Sequence, residues 1–189
     1  MKTFFSNVVS VAHNLFREFL SPGDIVVDAT CGNGKDILVM AKLLKGKGKI
    51  IGYDVQKEAL AKSMMAFEAL LSREEASIIS LKHSSHVCLE ENGAKLFHYN
   101  LGYLPGGDHD ITTLTEDTIA SLNKALDLLH SEGIITVICY PGHEEGKRER
   151  DAVESFAEAL DPGRWTVVLR KMMNRNLAPE LFVFKRNLL

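Results

Sequence analysis

The sequence predicts a doubly wound α/β domain, and three observations carry that prediction. Short β-branched runs alternate with longer segments of helical period, a pattern that implies a mostly parallel sheet covered by helices on both faces. Seven strand-like runs occur along 189 residues, a length that suits one domain and leaves no room for two full ones. Only a loop separates the last two runs, which predicts a closing hairpin and an antiparallel last strand.

The elements follow in order. Val8, Val11, Ala12, Leu15, Phe16 and Phe19 recur at helical spacing, so residues 1–20 hold an amphipathic helix, here expected to cap the site. A turn at 21–24 leads to the β-branched run 25–29, which reads as a strand buried on both faces. The glycine-containing turn 30–34 opens a helical pattern over 35–44, and Gly46 and Gly48 end it before a second strand at 49–54. An Ala-, Leu- and Met-rich helix spans about 57–71, with strands at 78–81 and 96–100. Thr113 and Glu116 form a capping-box pattern ahead of a stripe of Ile119, Leu122, Leu126 and Leu129, and Gly133 is read as closing that helix. The most apolar strand, 134–139, a helix over 147–160 and strands at 165–169 and 181–184 complete the chain.

Composition excludes several classes. With 46% hydrophobic residues the chain has enough apolar material to fold, which rules out a disordered tail. Its 22 basic and 25 acidic residues give a net charge of −3, so an RNA would have to be met by a local basic patch rather than bulk charge. Cys31, Cys88 and Cys139 are far apart and form no CxxC pair, which argues against a disulfide framework and for a reducing compartment. His83 and His86 form an HxxH without a third ligand, so no metal is expected. No run approaches the ~18 apolar residues of a membrane span. Asn7, His13, Asn14 and Arg17 break the apolar start, and the expectation is a cytoplasmic protein with no membrane partner.

In doubly wound sheets ligands sit beyond the carboxyl ends of the strands, and the chemically informative residues cluster there. The segment from Asp28 through Gly32, Asn33 and Gly34 joins the first strand to a helix, where glycines let backbone approach a ligand and the helix dipole adds positive charge. A dinucleotide site would place a third glycine or alanine where Ile37 stands. That disfavours a nicotinamide-dependent oxidoreductase. Asp28 instead suits the cationic amino and sulfonium groups of S-adenosylmethionine, and Asp54, ending the second strand, is placed to accept bonds from both ribose hydroxyls. The loop after strand four, from Asn100 through Tyr103 to Asp108, holds three glycines and a proline. Asn100 can accept a hydrogen bond from a substrate amine, Tyr103 can stack on a base for ~1–3 kcal/mol, and Asp108 can bind an ammonium or take its proton. The polar character of this loop disfavours a non-enzymatic nucleotide-binding module. His13 reads as a core-edge residue on a helix that could cap the site, and His143 as a loop residue able to meet substrate. Arg170, Lys171, Arg175, Lys185 and Arg186 flank the closing hairpin and are the better candidates for RNA phosphates, ahead of Lys42, Lys45, Lys47 and Lys49 at a helix end.

Asp28-Ala29-Thr30 with Gly32-Asn33-Gly34 and Asp36, Tyr53-Asp54 with Gln56, Ser85-His86, the run from Asn100 to Asp108, and Gly142-His143 with Glu145-Gly146 together resemble the small "putative rRNA methylase" family over nearly the whole chain. The family is similar to methyltransferases that complete 5-methylaminomethyl-2-thiouridine at wobble position 34 of tRNA. The resemblance implies a class I, Rossmann-like S-adenosylmethionine fold acting on an amine of tRNA, with the anticodon stem-loop as partner; methylation of ribosomal RNA is the rival within the class. It adds Asp36, Gln56, Ser85 and His86 to the cofactor set and makes Asn100, Tyr103 and Asp108 the catalytic candidates. A homodimer is carried as a further expectation. This chain departs from the family in having His109-Asp110 after Gly106-Gly107-Asp108, Lys35 before Asp36, and Ala178-Pro179 near its end.

Overall fold

The computed structural model describes residues 7–102 and 114–187. The strands are β1 (Ile25–Asp28), β2 (Lys49–Asp54), β3 (Ile79–His83), β4 (Ala94–Asn100), β5 (Leu129–Cys139), β6 (Trp165–Arg170) and β7 (Glu180–Arg186). The helices are α1 (Val8–Phe19), α2 (Lys35–Leu44), α3 (Lys57–Leu70), α4 (Arg73–Ser77), α5 (Thr115–Leu128) and α6 (Glu144–Glu158). One seven-stranded sheet runs in the order β3-β2-β1-β4-β5-β7-β6, with β7 alone antiparallel to its neighbours. This is the predicted doubly wound sheet with its closing hairpin.

Neighbouring apolar residues on each central strand point to opposite faces and build two cores. Val26, Ile50, Leu96 and Ile134 pack with Ala12 and Phe16 of α1, Ile37 and Met40 of α2, and Leu60 and Phe67 of α3. Val27, Ile51, Phe97 and Ile135 pack with Leu122 and Leu126 of α5 and Val153 of α6. Because both faces are covered, the strands read as continuous apolar runs rather than alternating ones.

Three expectations need correction. The Thr113–Glu116 capping box does not start α5: its N-cap is Leu114, which makes no side-chain cap, Thr113 lies outside the described residues, and Glu116 is engaged by Arg148 Nη2 at 2.7 Å. Leu129 and Gly133 belong to β5 rather than to the end of that helix. The β4–β5 register shifts between Ala94 and Leu96, and a Cβ on Gly133 would come within 2.9 Å of the Lys95 carbonyl, so the glycine serves a close backbone approach. The basic residues around the hairpin divide between two edges. Arg170 ends β6 at the carboxyl edge, whereas Lys185 pairs with Ile134 at the opposite edge, and Arg186 Nη2 bonds the Leu126 carbonyl there. Helix α4 was missed, although Ser72 and Glu75 form the reciprocal capping box that announces it.

Gly34 N-caps α2 at φ 73°, and a Cβ there would lie 2.6 Å from the Phe67 ring and 2.9 Å from Ser63 Oγ, which itself donates to the Gly32 carbonyl. Gly34→Ala is expected to destabilise the protein by about 1–3 kcal/mol through overpacking and left-handed strain. Urea denaturation measures this; a loss below about 0.5 kcal/mol would show that Phe67 moves aside freely.

Candidate active site

A cavity of about 900 Å³ opens at the carboxyl edge of the sheet, where β1, β2, β4 and β5 deliver their terminal residues and loops. From the β1 loop and the start of α2 come Thr30, Cys31, Gly32, Asn33, Lys35 and Asp36; from β2 come Asp54 and Gln56; Ser85 and His86 follow β3. Asn100 ends β4, and Tyr140 and His143 follow β5. One cavity thus gathers most of the residues that the sequence singles out. Tyr103 and Asp108 lie outside the described residues.

On the β1–β2 side the loop is wired to Asp54. Its Oδ2 accepts the Gly32 amide and its Oδ1 the Gln56 amide, both at 2.8 Å, and Gly32 takes φ 48° to bring its N–H there. Burial raises the Asp54 carboxyl, and those two amides partly offset the rise. Burial likewise raises the Cys31 thiol, with Asp28 and Asp54 adding to it, so this cavity-lining thiol stays protonated. His86 is buried, and burial pushes its imidazole down to about 4, leaving it neutral. Asn33 Oδ1 and His86 Nε2 are buried without a protein partner. These are polar groups that a ligand would satisfy.

The β4–β5 side is organised around Asp36, on the first turn of α2. His13 Nε2 of α1 donates to Asp36 Oδ1 at 2.6 Å, and Asn100 Nδ2 donates to Asp36 Oδ2 at 3.1 Å. His98 Nε2 stands 3.4 Å from Oδ2, an electrostatic contact rather than a hydrogen bond. Tyr140 Oη donates to Asn100 Oδ1 at 2.9 Å, and the Asn100 backbone amide bonds Thr30 Oγ1 at 2.7 Å. Burial opposes the Asp36 charge, yet its hydrogen bonds from His13 and Asn100 and the nearby His98 imidazole hold its carboxyl well below the usual range. His98 is itself raised: burial works against its charge, but Asp36 and Asp28 outweigh it. Burial raises the Tyr140 hydroxyl, and the Asp36 charge adds to the effect.

Beneath the cavity a row of polar side chains crosses three strands in register: Asp28 on β1 faces His98 on β4, and His98 faces Thr136 on β5. His98 Nδ1 and Thr136 Oγ1 are 2.8 Å apart, and the edge of Phe16 closes over the imidazole at 5.0 Å. Asp28 is fully buried in this row and does not line the cavity. Gly34 shapes the turn beneath the loop. His143 N-caps α6, its Nδ1 accepting from the Gly146 amide at 3.1 Å, so it builds the wall as well as lining it. Arg170, Lys171 and Arg175 do not line the cavity, but they lie in or beside the 171–179 connection, whose Leu177 does. The sequence reading missed His98 and Thr136, and placed Thr30 and Tyr140 at the ligand edge without giving either a role. His98 was detectable as the residue two before Asn100 on the same strand face.

Burial pushes the Asp28 carboxyl up to about 7, with the Asp36 charge adding to the rise and His98 opposing it. Between its ordinary value of 3.8 and about 7 the folded protein holds a proton that the unfolded chain has released, so this group loses stability as pH rises through that window. Asp28→Asn, which keeps the Oδ1 acceptor for Thr30, is expected to gain stability relative to the wild type as pH rises from 4 to 8. Denaturation midpoints of the two proteins across pH check this; a constant difference between them would contradict it.

The comparisons with known proteins agree with this geometry. The model of the family described as "Putative rRNA methylase" matches residues 50–186. The chloroplastic tRNA (mnm(5)s(2)U34)-methyltransferase of Arabidopsis thaliana is 34% identical over 187 residues, 93% of this chain and 68% of that protein. The crystal structure of a "putative rRNA-methylase" from Clostridium thermocellum superposes with a TM-score of 0.91 at 34% identity, covering 96% of this chain and 98% of the other. A "putative methyltransferase" from Streptococcus mutans, in complex with SAH, gives a TM-score of 0.82 at 26% identity over 96% and 99% of the two chains. The cavity here fits such a cofactor: its volume suits a nucleoside joined to an amino acid, the Asp54 carboxylate lines it as an acceptor of hydroxyl bonds, and Asn33 and His86 present unsatisfied polar atoms. On fold, cavity and sequence together, the chain belongs to the "Putative rRNA methylase" family of S-adenosylmethionine-dependent methyltransferases.

Proposed function

We propose that the protein methylates the 5-aminomethyl group of 2-thiouridine at wobble position 34 of tRNA. The observation that carries this reading is the placement of Asn100: it ends β4 and lines the same cavity as Asp54, with its amide held at both ends. Similarity to the Arabidopsis thaliana tRNA methyltransferase supports the wobble nucleoside as the substrate.

When bound, S-adenosylmethionine supplies a methyl group on a sulfonium, an electrophile for an uncharged amine nitrogen. Asp54 would hold the ribose hydroxyls, the backbone of residues 30–33 would lie against the amino-acid end, and Ser85 and His86 would border the adenine. Asn100 Oδ1 accepts an N–H from the substrate amine and turns its lone pair toward the methyl group, so the protein works by alignment. An aliphatic ammonium must first lose a proton, and Asp108 is the proposed acceptor, with Tyr103 stacking on the target base. RNA phosphates meet Arg170, Lys171 and Arg175 at the cavity's edge, where exposed Met173 and Leu177 offer apolar surface to a splayed base. His143 borders the substrate from the β5 side, and α1 reaches the cavity wall through the bond of His13 to Asp36.

The reading is tested by incubating the purified protein with labelled S-adenosylmethionine and either tRNA carrying 5-aminomethyl-2-thiouridine or ribosomal RNA, then identifying the labelled nucleoside by mass spectrometry. Label in 5-methylaminomethyl-2-thiouridine is expected; label confined to ribosomal RNA overturns it. Asn100→Ala is expected to lower the single-turnover rate by about a hundredfold while leaving cofactor affinity nearly intact. Asp54→Ala should do the reverse, weakening S-adenosylhomocysteine binding by about a hundredfold, since two hydrogen bonds to a charged acceptor are worth ~1.5–3 kcal/mol each. Calorimetry decides between these outcomes, and unchanged binding would remove Asp54 from the ribose site. Neutralising Arg170, Lys171 and Arg175 together should flatten the salt dependence of tRNA binding by about 2 in slope without altering S-adenosylhomocysteine affinity. An unchanged slope would place the RNA elsewhere.

A further inference from the structure

We infer that Asp36 and Tyr140 are positioning residues that lock the Asn100 amide in one orientation, so that its carbonyl oxygen, beside the Tyr140 oxygen, is what the methyl acceptor meets as a hydrogen-bond acceptor. The inference rests on the reading of Asn100 as the residue that meets the methyl acceptor. A side-chain amide has a donor end and an acceptor end of nearly equal shape, and nothing in the asparagine itself chooses between them. Here the neighbours choose. A carboxylate can only accept, so the 3.1 Å contact to Asp36 Oδ2 must be made by Nδ2. That leaves Oδ1 facing Tyr140, whose one hydroxyl proton is committed to it at 2.9 Å. The second lone pair of Asn100 Oδ1, the lone pairs of Tyr140 Oη and the one Nδ2 N–H not given to Asp36 are then what these two residues have left to offer. An incoming group with two N–H bonds, a primary amine, satisfies the two oxygens. A carbonyl or ether oxygen finds no donor on Tyr140 or at Asn100 Oδ1, and at most the single spare Nδ2 N–H.

The lock needs Asp36 to be ionised despite its burial, and the structure supplies the means from three side chains on two elements. His13 Nε2 reaches Asp36 Oδ1 from α1 at 2.6 Å, and His98 Nε2 approaches Oδ2 from β4 at 3.4 Å. The Asn100 amide is the third partner. Helix α1 thus acts on the site through a side chain that touches neither cofactor nor RNA in this account. A protonated Asp36 could donate as well as accept, and the choice of amide orientation would be lost.

The test uses the full-length protein bound to S-adenosylhomocysteine. In ¹⁵N–¹H spectra recorded without RNA, the Asn100 side-chain amide should give two well-separated protons, one slow to exchange with water. Tyr140→Phe and Asp36→Asn should each shift these resonances and speed that exchange. With tRNA, Tyr140→Phe and His13→Ala should lower the single-turnover rate at saturating RNA by at least about tenfold, while the affinities for S-adenosylhomocysteine and tRNA stay within about twofold. His13→Gln, which can still donate to Asp36, should recover most of the rate. His13 is partly exposed, so this pair of variants reads the lock even if Asp36→Asn fails to fold. Amide resonances unaltered in Tyr140→Phe overturn the lock. Altered resonances with single-turnover rates within about twofold of wild type overturn its role in transfer. Because the spectra need no RNA, loss of the tRNA reading and loss of this proposal are separate results.

Discussion

A buried carboxylate must be compensated where it sits, and in this protein that requirement, at Asp36, ties the active-site half of the molecule together. Removing such a charge from water costs several kcal/mol unless hydrogen bonds and opposite charge replace the solvent. The compensation comes from α1 through His13, from β4 through His98 and Asn100, and from the turn of α2 on which Asp36 stands. Three elements far apart in sequence are therefore held to one point, and the catalytic candidate Asn100 is one of the compensating groups. Stability and function share the same bonds here, so the site cannot loosen without exposing the charge.

The opposite side of the cavity solves a different problem. Asp54 is less buried, and backbone amides of the two loops it joins compensate it instead of side chains. Its carboxylate fixes the β1 loop in place while keeping lone pairs toward the cavity. A rigid acceptor side and a loop-built cofactor side meet in one cavity, as reactions that depend on alignment of two bound partners require.

Much of the fold was legible in the sequence because its signals are local and strong. Strand runs such as 134–139 and the amphipathic stripe of α1 reflect burial against the sheet, and burial is what periodicity reports. An error arose where a tertiary contact overrode a local motif: Gly133 admits the Lys95 carbonyl instead of ending a helix. The site was legible in part for a related reason. Ligand-edge residues follow strands, so Asp54, His86 and Asn100 could be picked out one at a time. Their wiring could not. The His13–Asp36–Asn100–Tyr140 chain joins residues separated by 23, 64 and 40 positions, and sequence pattern carries no trace of contacts at that range. The structure bonds Asp36, read from sequence as a cofactor residue, directly to His13, read as a substrate residue.

The central claim is that a primary amine is held at the Asn100 end of the cavity, next to the cofactor. A crystal structure with S-adenosylhomocysteine and an anticodon stem-loop carrying 5-aminomethyl-2-thiouridine tests it most directly. The account predicts the amine nitrogen within about 3 Å of Asn100 Oδ1, with the Asn100 Nδ2 contact to Asp36 retained. An amine bound away from Asn100, or an Asn100 amide turned from Asp36 to meet the nucleoside, would contradict it.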